Sequence, residues 1–302
     1  MQQLTNCPVC DSPKISFRNK AGDCEHPKEP LHWSLFGCDD CSVGFLNPQP
    51  TWQELIPYYP PDYLCYNTHV DDEDAVAEEA KRQGEHRHIP IPVGKRLLDV
   101  GCGGGSFLQV LKKLGVDVKG VEPGESAAAA ARDAGLDVFT GTLEEYIAQH
   151  GTDEKFDVIT CSHVLMATPT PARTLDRMRQ LLAPNGYIWV AVPNAECESA
   201  RVLGWRWHSA YFPRNIIQFT PKTLSKAGEV AGLQIRRQST YSFPAAVAYS
   251  LCLRWRNRWF LPHKISSRFL SDNYVKRLAQ ELDARNEGEA IFMEFCHPQS
   301  LD

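Results

Sequence analysis

The sequence predicts an α/β protein: a doubly wound parallel sheet preceded by a small cysteine-bound ribbon. Three observations carry this prediction. Two Cys-x-x-Cys units stand near the N-terminus, and from residue 95 short apolar runs alternate with segments of helical period. The first of those runs passes directly into Gly101-Cys102-Gly103-Gly104-Gly105.

The N-terminal units are Cys7-Pro8-Val9-Cys10 and Cys38-Asp39-Asp40-Cys41, with 27 residues between them. A Cys-x-x-Cys turn offers two sulfurs to one metal, and two such turns complete a tetrahedral thiolate site with no position left open for catalysis. Cys7, Cys10, Cys38 and Cys41 are therefore expected to hold a structural zinc ion. Metal binding would supply the folding energy of a segment too small for its own core. Coincidence in a chain of 11 cysteines is the competing explanation. Cys24, His26 and His32 lie between the knuckles as rival ligands. A redox pair fits less well, because neither unit follows a strand and opens a helix.

Residues 1–50 are thus read as the ribbon and 51–94 as a connector. The prolines of Asn47-Pro48-Gln49-Pro50 and Tyr58-Tyr59-Pro60-Pro61 predict a stiff connector without regular structure. Val70 to Gln83 is acidic and alanine-rich, a solvated helix ended by Ile89-Pro90-Ile91-Pro92.

Residues 95–302 are read as the second, larger domain. Arg96 to Val100, Val116 to Val121, Asp137 to Thr140, Phe156 to Ser162 and Tyr187 to Val192 read as strands. Helices are expected at Ser106 to Gly115, Glu125 to Ala134, Leu143 to His150 and Pro171 to Leu182. Such alternation implies parallel strands with ligands at their carboxyl ends. At those ends Gly101, Gly103 and Gly105 let the backbone pass close to a ligand. The next helix offers unpaired N–H groups to a carboxylate. Asp99 precedes the glycines and suits an ammonium. Glu122 stands 19 residues after Gly103, where a carboxylate accepts both hydroxyls of a ribose. A nicotinamide site shares the glycine turn and the second-strand acid. Against it, Ser106 occupies the third fingerprint position, and a negative Asp99 would repel a pyrophosphate.

Composition narrows the partners. The chain has 302 residues, 43% of them apolar or aromatic, and a formal charge of -5, so it can bury a core and presents no basic field for nucleic acid. No apolar run approaches the ~20 residues that span a bilayer. Without a basic start and apolar stretch at the N-terminus, a cytoplasmic location is expected. The sequence leaves the oligomeric state open.

On these motifs the chain resembles class I S-adenosylmethionine (SAM)-dependent methyltransferases, specifically bacterial small-molecule enzymes with an N-terminal zinc segment. The resemblance rests on the two cysteine units, Gly44-Phe45-Leu46-Asn47-Pro48, Leu98 to Gly105 and Val121-Glu122-Pro123. Phe156-Asp157-Val158-Ile159, Leu181 to Tyr187, Val192-Pro193-Asn194, Phe219 to Leu224 and Ala231-Gly232-Leu233 extend it. It implies a Rossmann-like seven-stranded mixed sheet whose last strand, near Ala290 to Cys296, is antiparallel. It further implies SAM binding by Asp99, Gly101, Cys102, Gly103 and Glu122. Thr142 and Leu143 would lie near the adenine, and Cys161, Ser162 and His163 on the reactive side. Two departures stand out. The family's His-Val-Leu-Glu-His is here His163-Val164-Leu165-Met166-Ala167, and its Pro-Arg-His is Pro213-Arg214-Asn215.

Methyl transfer from a sulfonium is an in-line displacement needing alignment and, for a protonated acceptor, a base. His163 and His208 are the candidate bases, with a purely structural histidine as the alternative at each. Trp205, Trp207, Tyr211 and Arg214 are the expected walls of the acceptor pocket. Residues 243–285 are read as a substrate-side cap, with a membrane-surface helix over 243–263 as the rival reading. The expected acceptor is a small molecule, oxygen being preferred as the methylated atom. A macromolecular or carrier-bound acceptor docked through the ribbon, or an idle SAM-fold binding protein, remain the alternatives.

Overall fold

The computed structural model describes residues 1–23, 32–60, 66, 70, 72–259 and 271–298. The ribbon begins with the Cys7–Cys10 turn and the strands β1 (Ile15–Ala21), β2 (Trp33–Cys38) and β3 (Gly44–Leu46). Asp11 and Ser42, each one residue past a Cys-x-x-Cys unit, have φ of 59° and 72°, which curls the chain back around the sulfurs. Cys24 and His26 lie outside the described residues.

The connector is more regular than its prolines suggested. Thr51 and Glu54 form a reciprocal capping box that closes the short helix α1 (Trp52–Leu55). A single capped turn needs no uninterrupted hydrogen-bond ladder, so Pro57 can follow it. Next comes α2 (Glu73–Gln83), on the acidic alanine-rich stretch. The two-residue strands β4 (Glu85–His86) and β5 (Ile89–Pro90) then form a hairpin not foreseen from the sequence. Its tip, Arg87-His88, has φ of 50° and 67°. Left-handed conformation at two consecutive non-glycine residues is costly, and glycine or asparagine usually occupies such tips.

The catalytic domain alternates as expected: β6 (Arg96–Val100), α3 (Ser106–Lys113), β7 (Asp117–Glu122), α4 (Glu125–Asp133), β8 (Asp137–Thr140), α5 (Leu143–His150), β9 (Phe156–Ser162), α6 (Pro171–Leu181) and β10 (Leu182–Pro193). After β10 come α7 (Glu198–Leu203), β11 (Ile217–Gln218), α8 (Pro221–Val230) and β12 (Gln234–Tyr241). The helices α9 (Pro244–Trp259) and α10 (Asp272–Ala284) separate β12 from the last strand, β13 (Ala290–Cys296). The seven-stranded sheet has the order β12-β13-β10-β9-β6-β7-β8. β6 to β10 run parallel, and β13 is antiparallel to both β10 and β12. This is the Rossmann-like mixed sheet the resemblance implied.

The ribbon is not a separate body. β11, which belongs to the chain after β10, pairs with β3 and completes a four-stranded sheet of order β1-β2-β3-β11. One buried apolar cluster runs from Val9, Phe45 and Leu46 through Trp207, Phe212 and Phe219 to Val190 and Met293. Full burial of a side chain such as Phe45 contributes about 2 kcal/mol, so a shared core ties the two parts together. The cap has a smaller core of its own in Val247, Val275, Ala279 and Leu282. Among the described residues, no helix is long and apolar enough to cross a membrane.

Candidate functional site

The carboxyl ends of β6, β7 and β9 lie side by side. Asp99 pairs in register with Gly120 on one side and Thr160 on the other. It is 6% exposed, and the Thr160 hydroxyl donates to its Oδ1 at 2.6 Å. Burial pushes its carboxyl up to about 7, and the neighbouring Glu122 adds to the rise. Glu122 is also buried and raised by that burial. Two backbone groups hold it: Gly103 N–H donates to Oε2 at 2.9 Å, and Gly124 N–H to Oε1 at 2.7 Å. Two desolvated acids this close favour a ligand that brings positive charge.

Two of the loop glycines also have a packing reason. Gly101, Gly103 and Gly105 all have positive φ, at 76°, 54° and 82°. A Cβ at Gly101 would meet Val164 Cγ2 at 2.3 Å, and one at Gly105 would meet Leu136 Cδ1 at 2.3 Å. Protein atoms fill the space a side chain would need at these two positions. The glycines fit the loop against the segment after β9 and the helix α3 against α4. Cys102 is buried, its Sγ packed against the face of Gly120.

Thr142 caps α5, its Oγ1 accepting from Glu145 N–H at 3.2 Å, and Leu143 is 3% exposed in the main core. Cys161 is fully buried, with its thiol pushed up by burial, whereas Ser162 and His163 are exposed at the end of β9. His163 has φ of 56°, and its N–H donates to Ala191 O at 2.8 Å. His163 is exposed at the residue level, while the protein around it pushes its pKa down.

His208 is half-buried and also lowered by burial. Its ring meets Trp207 at 6.0 Å and Tyr249 of α9 at 5.9 Å, which places it beside that helix. Trp207 is 1% exposed and packs in the core shared with the ribbon. Trp205 is half-buried, with the Arg206 guanidinium 4.6 Å above its ring. Met166, at the place of the family glutamate, is a buried core residue. Asn215, at the place of the second family histidine, is buried and donates to Ser209 O at 2.9 Å. The departures thus replace polar site groups with structural ones.

Arg214 is 7% exposed. Its Nε donates to Tyr58 O at 2.6 Å, and its guanidinium lies 4.1 Å over the Tyr211 ring and 6.0 Å over Tyr59. Burial raises the Tyr59 phenol; Arg214 opposes the rise, while Tyr66, Tyr211 and Glu122 reinforce it. The Tyr66 hydroxyl lies 3.0 Å from where a Cβ of Gly124 would stand. A connector tyrosine thus flanks the loop that holds Glu122. The sequence reading took Tyr58 and Tyr59 only as connector and missed Tyr66. It also missed Arg87. From the strained hairpin tip, Arg87 Nη2 donates to Ser106 Oγ at 3.0 Å, at the first residue of α3. Its charge partly offsets the rise of Asp99. The signal was Ser106 standing where the nicotinamide fingerprint has a small apolar residue.

The four ribbon sulfurs lie within 4.8 Å of one another. Cys7 Sγ and Cys41 Sγ are 3.6 Å apart, as are Cys10 Sγ and Cys38 Sγ. Thiolates arranged tetrahedrally around zinc stand about 3.8 Å apart. Val9 N–H points at Cys7 Sγ at 3.4 Å and Cys41 N–H at Cys38 Sγ at 3.5 Å, the knuckle pattern that favours thiolate. The hydrogen bond from Cys7 pulls the Cys41 thiol down to about 5, and the same bond together with burial pushes Cys7 up. Four sulfurs this close do not all ionise without a cation between them.

The fold and the glycine-and-acid site define a SAM-type α/β enzyme. Known proteins agree. A family model described as a methyltransferase domain matches residues 72–238. A ubiquinone biosynthesis O-methyltransferase from Aromatoleum aromaticum is 31% identical over 171 residues, 52% of this chain and 72% of the relative. Another so named, from Pasteurella multocida, is 39% identical over 114 residues, 33% of this chain and 47% of the relative. The [4+2]-cyclase SpnF superposes with a TM-score of 0.51 at 18% identity, covering 82% of this chain and 97% of the cyclase. That likeness shows the fold alone. The chain belongs to the class I SAM-dependent methyltransferase family.

Proposed function

We propose that the protein methylates a small-molecule acceptor, with oxygen the preferred atom, in a biosynthetic pathway, and that Cys7, Cys10, Cys38 and Cys41 hold a structural zinc in the reducing cytoplasm. The observation that carries the donor side is the buried pair Asp99 and Glu122 flanking the glycine loop. When bound, SAM supplies an activated methyl on a sulfonium. Asp99 takes the ammonium of the methionine moiety, Glu122 the ribose hydroxyls, and Arg87 with the α3 N-terminus the carboxylate. Gly101, Cys102 and Gly103 supply the loop backbone, and Thr142 and Leu143 border the adenine side. Cys161 and Ser162 shape the floor beside the methyl.

On the acceptor side Trp205, Tyr211 and Arg214 form a wall, with Trp207 bracing it from the core. His163 or His208 removes the acceptor proton. Both are lowered by burial, so both are neutral near pH 7 and able to accept a proton. The names of the relatives support a small oxygen acceptor. The test is transfer of labelled methyl from SAM into a metabolite extract, with mass-spectrometric identification of the product. Label appearing in a small molecule is the expected result. Label confined to protein or nucleic acid overturns the small-molecule reading, and failure to bind SAM overturns the whole.

A further inference from the structure

One buried acid takes no part in the methyl-transfer site proposed above. Glu289, the residue before β13, is 4% exposed. Its Oε1 accepts two hydroxyls, from Ser199 of α7 at 2.6 Å and from Ser250 of α9 at 3.2 Å. The space left among α7, α9 and α10 encloses about 30 Å3, too little for an organic ligand. The other contacts here are apolar. Val247, Leu251, Leu278 and Leu282 pack α9 against α10, and Val202 and Leu203 of α7 line the same space. The acid is thus a polar joint between two helices in an otherwise apolar seam.

Apolar contacts are non-directional and let helices slide or turn against each other. Hydrogen bonds have a required geometry, so two hydroxyls meeting on one carboxylate oxygen set the register of α7 against α9. A buried acid costs more than an apolar contact would, and what it supplies here is that register. The joint is itself anchored in the sheet. Asn194 N–H donates to Glu289 O and Asn194 Nδ2 to Gly288 O, each at 2.8 Å, and Gly288 N–H donates to Thr240 Oγ1 at 3.1 Å. A Cβ at Gly288 would meet Tyr241 N at 2.8 Å, so the turn into β13 packs directly on the end of β12. Both helices lead to His208. Ser250 adjoins Tyr249, whose ring meets His208 at 5.9 Å. From Ser199, α7 runs to Leu203, and tight turns carry the chain on: Trp207 N–H donates to Gly204 O and Ala210 N–H to Trp207 O, each at 3.0 Å.

We propose that Glu289 is a positioning residue for the acceptor side: by drawing Ser199 and Ser250 onto one oxygen it locks α7 to α9 and holds His208 beside Trp207 and Tyr249. Glu289 acts through His208 and not on the acceptor. The effect on methyl transfer rests on His208 serving as the acceptor base; the placement of His208 does not.

The test compares Glu289→Ala, which removes the joint, with Glu289→Gln, which keeps an oxygen for both hydroxyls. The first readout is NMR titration of the His208 ring in the full chain, its signal assigned by its loss in His208→Asn. Burial holds His208 below its ordinary value, so a loosened joint should expose the ring and move its midpoint up toward about 6.5 in Glu289→Ala. Glu289→Gln should titrate as the wild type does. Ser250→Ala, which leaves one hydroxyl on the acid, should give a smaller shift in the same direction. The second readout is labelled methyl transfer from SAM, expected to fall at least about tenfold in Glu289→Ala and to stay near wild type in Glu289→Gln. Unchanged binding of S-adenosylhomocysteine (SAH) shows that each variant folds; if Glu289→Ala loses it, Ser250→Ala decides. An unmoved His208 midpoint in the folded variants overturns the proposal, as does a shift in Glu289→Gln equal to that in Glu289→Ala. Full transfer by His208→Asn would overturn the base reading alone, and the titration then decides the joint.

Discussion

The donor and acceptor halves we propose for this protein meet at Glu122, yet they are assembled by different rules. The donor half is local: Asp99, the glycine loop and Glu122 come from two adjacent strands and the turn after one of them. The acceptor half is gathered from distant segments, with Tyr58, Tyr59 and Tyr66 from the connector, Arg214 from beyond β10, and His208 beside α9. β11 binds that half to the ribbon through β3. The lesson is that the ribbon shares both a sheet and an apolar core with the rest of the enzyme.

The largest test of this contrast is metal removal. Chelation, or Cys38→Ser, should remove one zinc per chain, measured by mass spectrometry. Sites of this kind contribute about 10 kcal/mol of coupled folding energy. Because the core is shared, near-ultraviolet circular dichroism and thermal stability of the whole chain should fall. A catalytic domain that keeps its melting temperature would show that the two halves are mechanically independent.

Glu122→Gln comes next. Losing a buried charged partner costs about 3 kcal/mol, roughly a hundredfold in SAH affinity by calorimetry, and a loss under about threefold would break the donor assignment. Arg214→Leu should cost about 2 kcal/mol of stability, because Tyr58 O loses its donor. SAH affinity should stay near wild type; a large drop would mean that the two halves are coupled through Tyr59 more tightly than described.

The pH dependence is smaller and has a definite sign. Burial raises Asp99 to about 7, so below that pH the free protein carries a proton on the group that must face an ammonium. SAH affinity should therefore fall as pH drops from about 8 to 6, approaching tenfold per unit on the acid side. Asp99→Asn should bind weakly and flatten the profile; an unchanged slope in that variant assigns the titration elsewhere. The smallest effect is expected at Thr142→Ala, about 1 kcal/mol of stability from the lost cap, read by chemical denaturation. If SAH affinity also falls tenfold or more, Thr142 is a cofactor contact as well as a cap.

Much of the donor half was legible in the sequence because its logic is short-range. The glycine turn, the acid before it and the acid at the next strand end lie within 24 residues, Asp99 to Glu122. Even there one reason for the glycines was not legible: Val164 and Leu136, remote in sequence, occupy the space a side chain would need. The connector was legible as proline-rich chain followed by the acidic helix α2. Its capping box and hairpin are local features that the sequence reading passed over, whereas the reach of Arg87 to Ser106 depends on where α3 lies.

By itself the sequence determined the α/β class, nearly every catalytic-domain element and the four-cysteine set. Those follow from periodicity, turn residues and ligand spacing, all of which act between near neighbours. Only the tertiary structure decided that β11 completes the ribbon sheet, that Trp207 is core, and that Arg214 stands among tyrosines beside Glu122. Such features depend on which distant surfaces exclude water together, and a linear pattern does not carry that information.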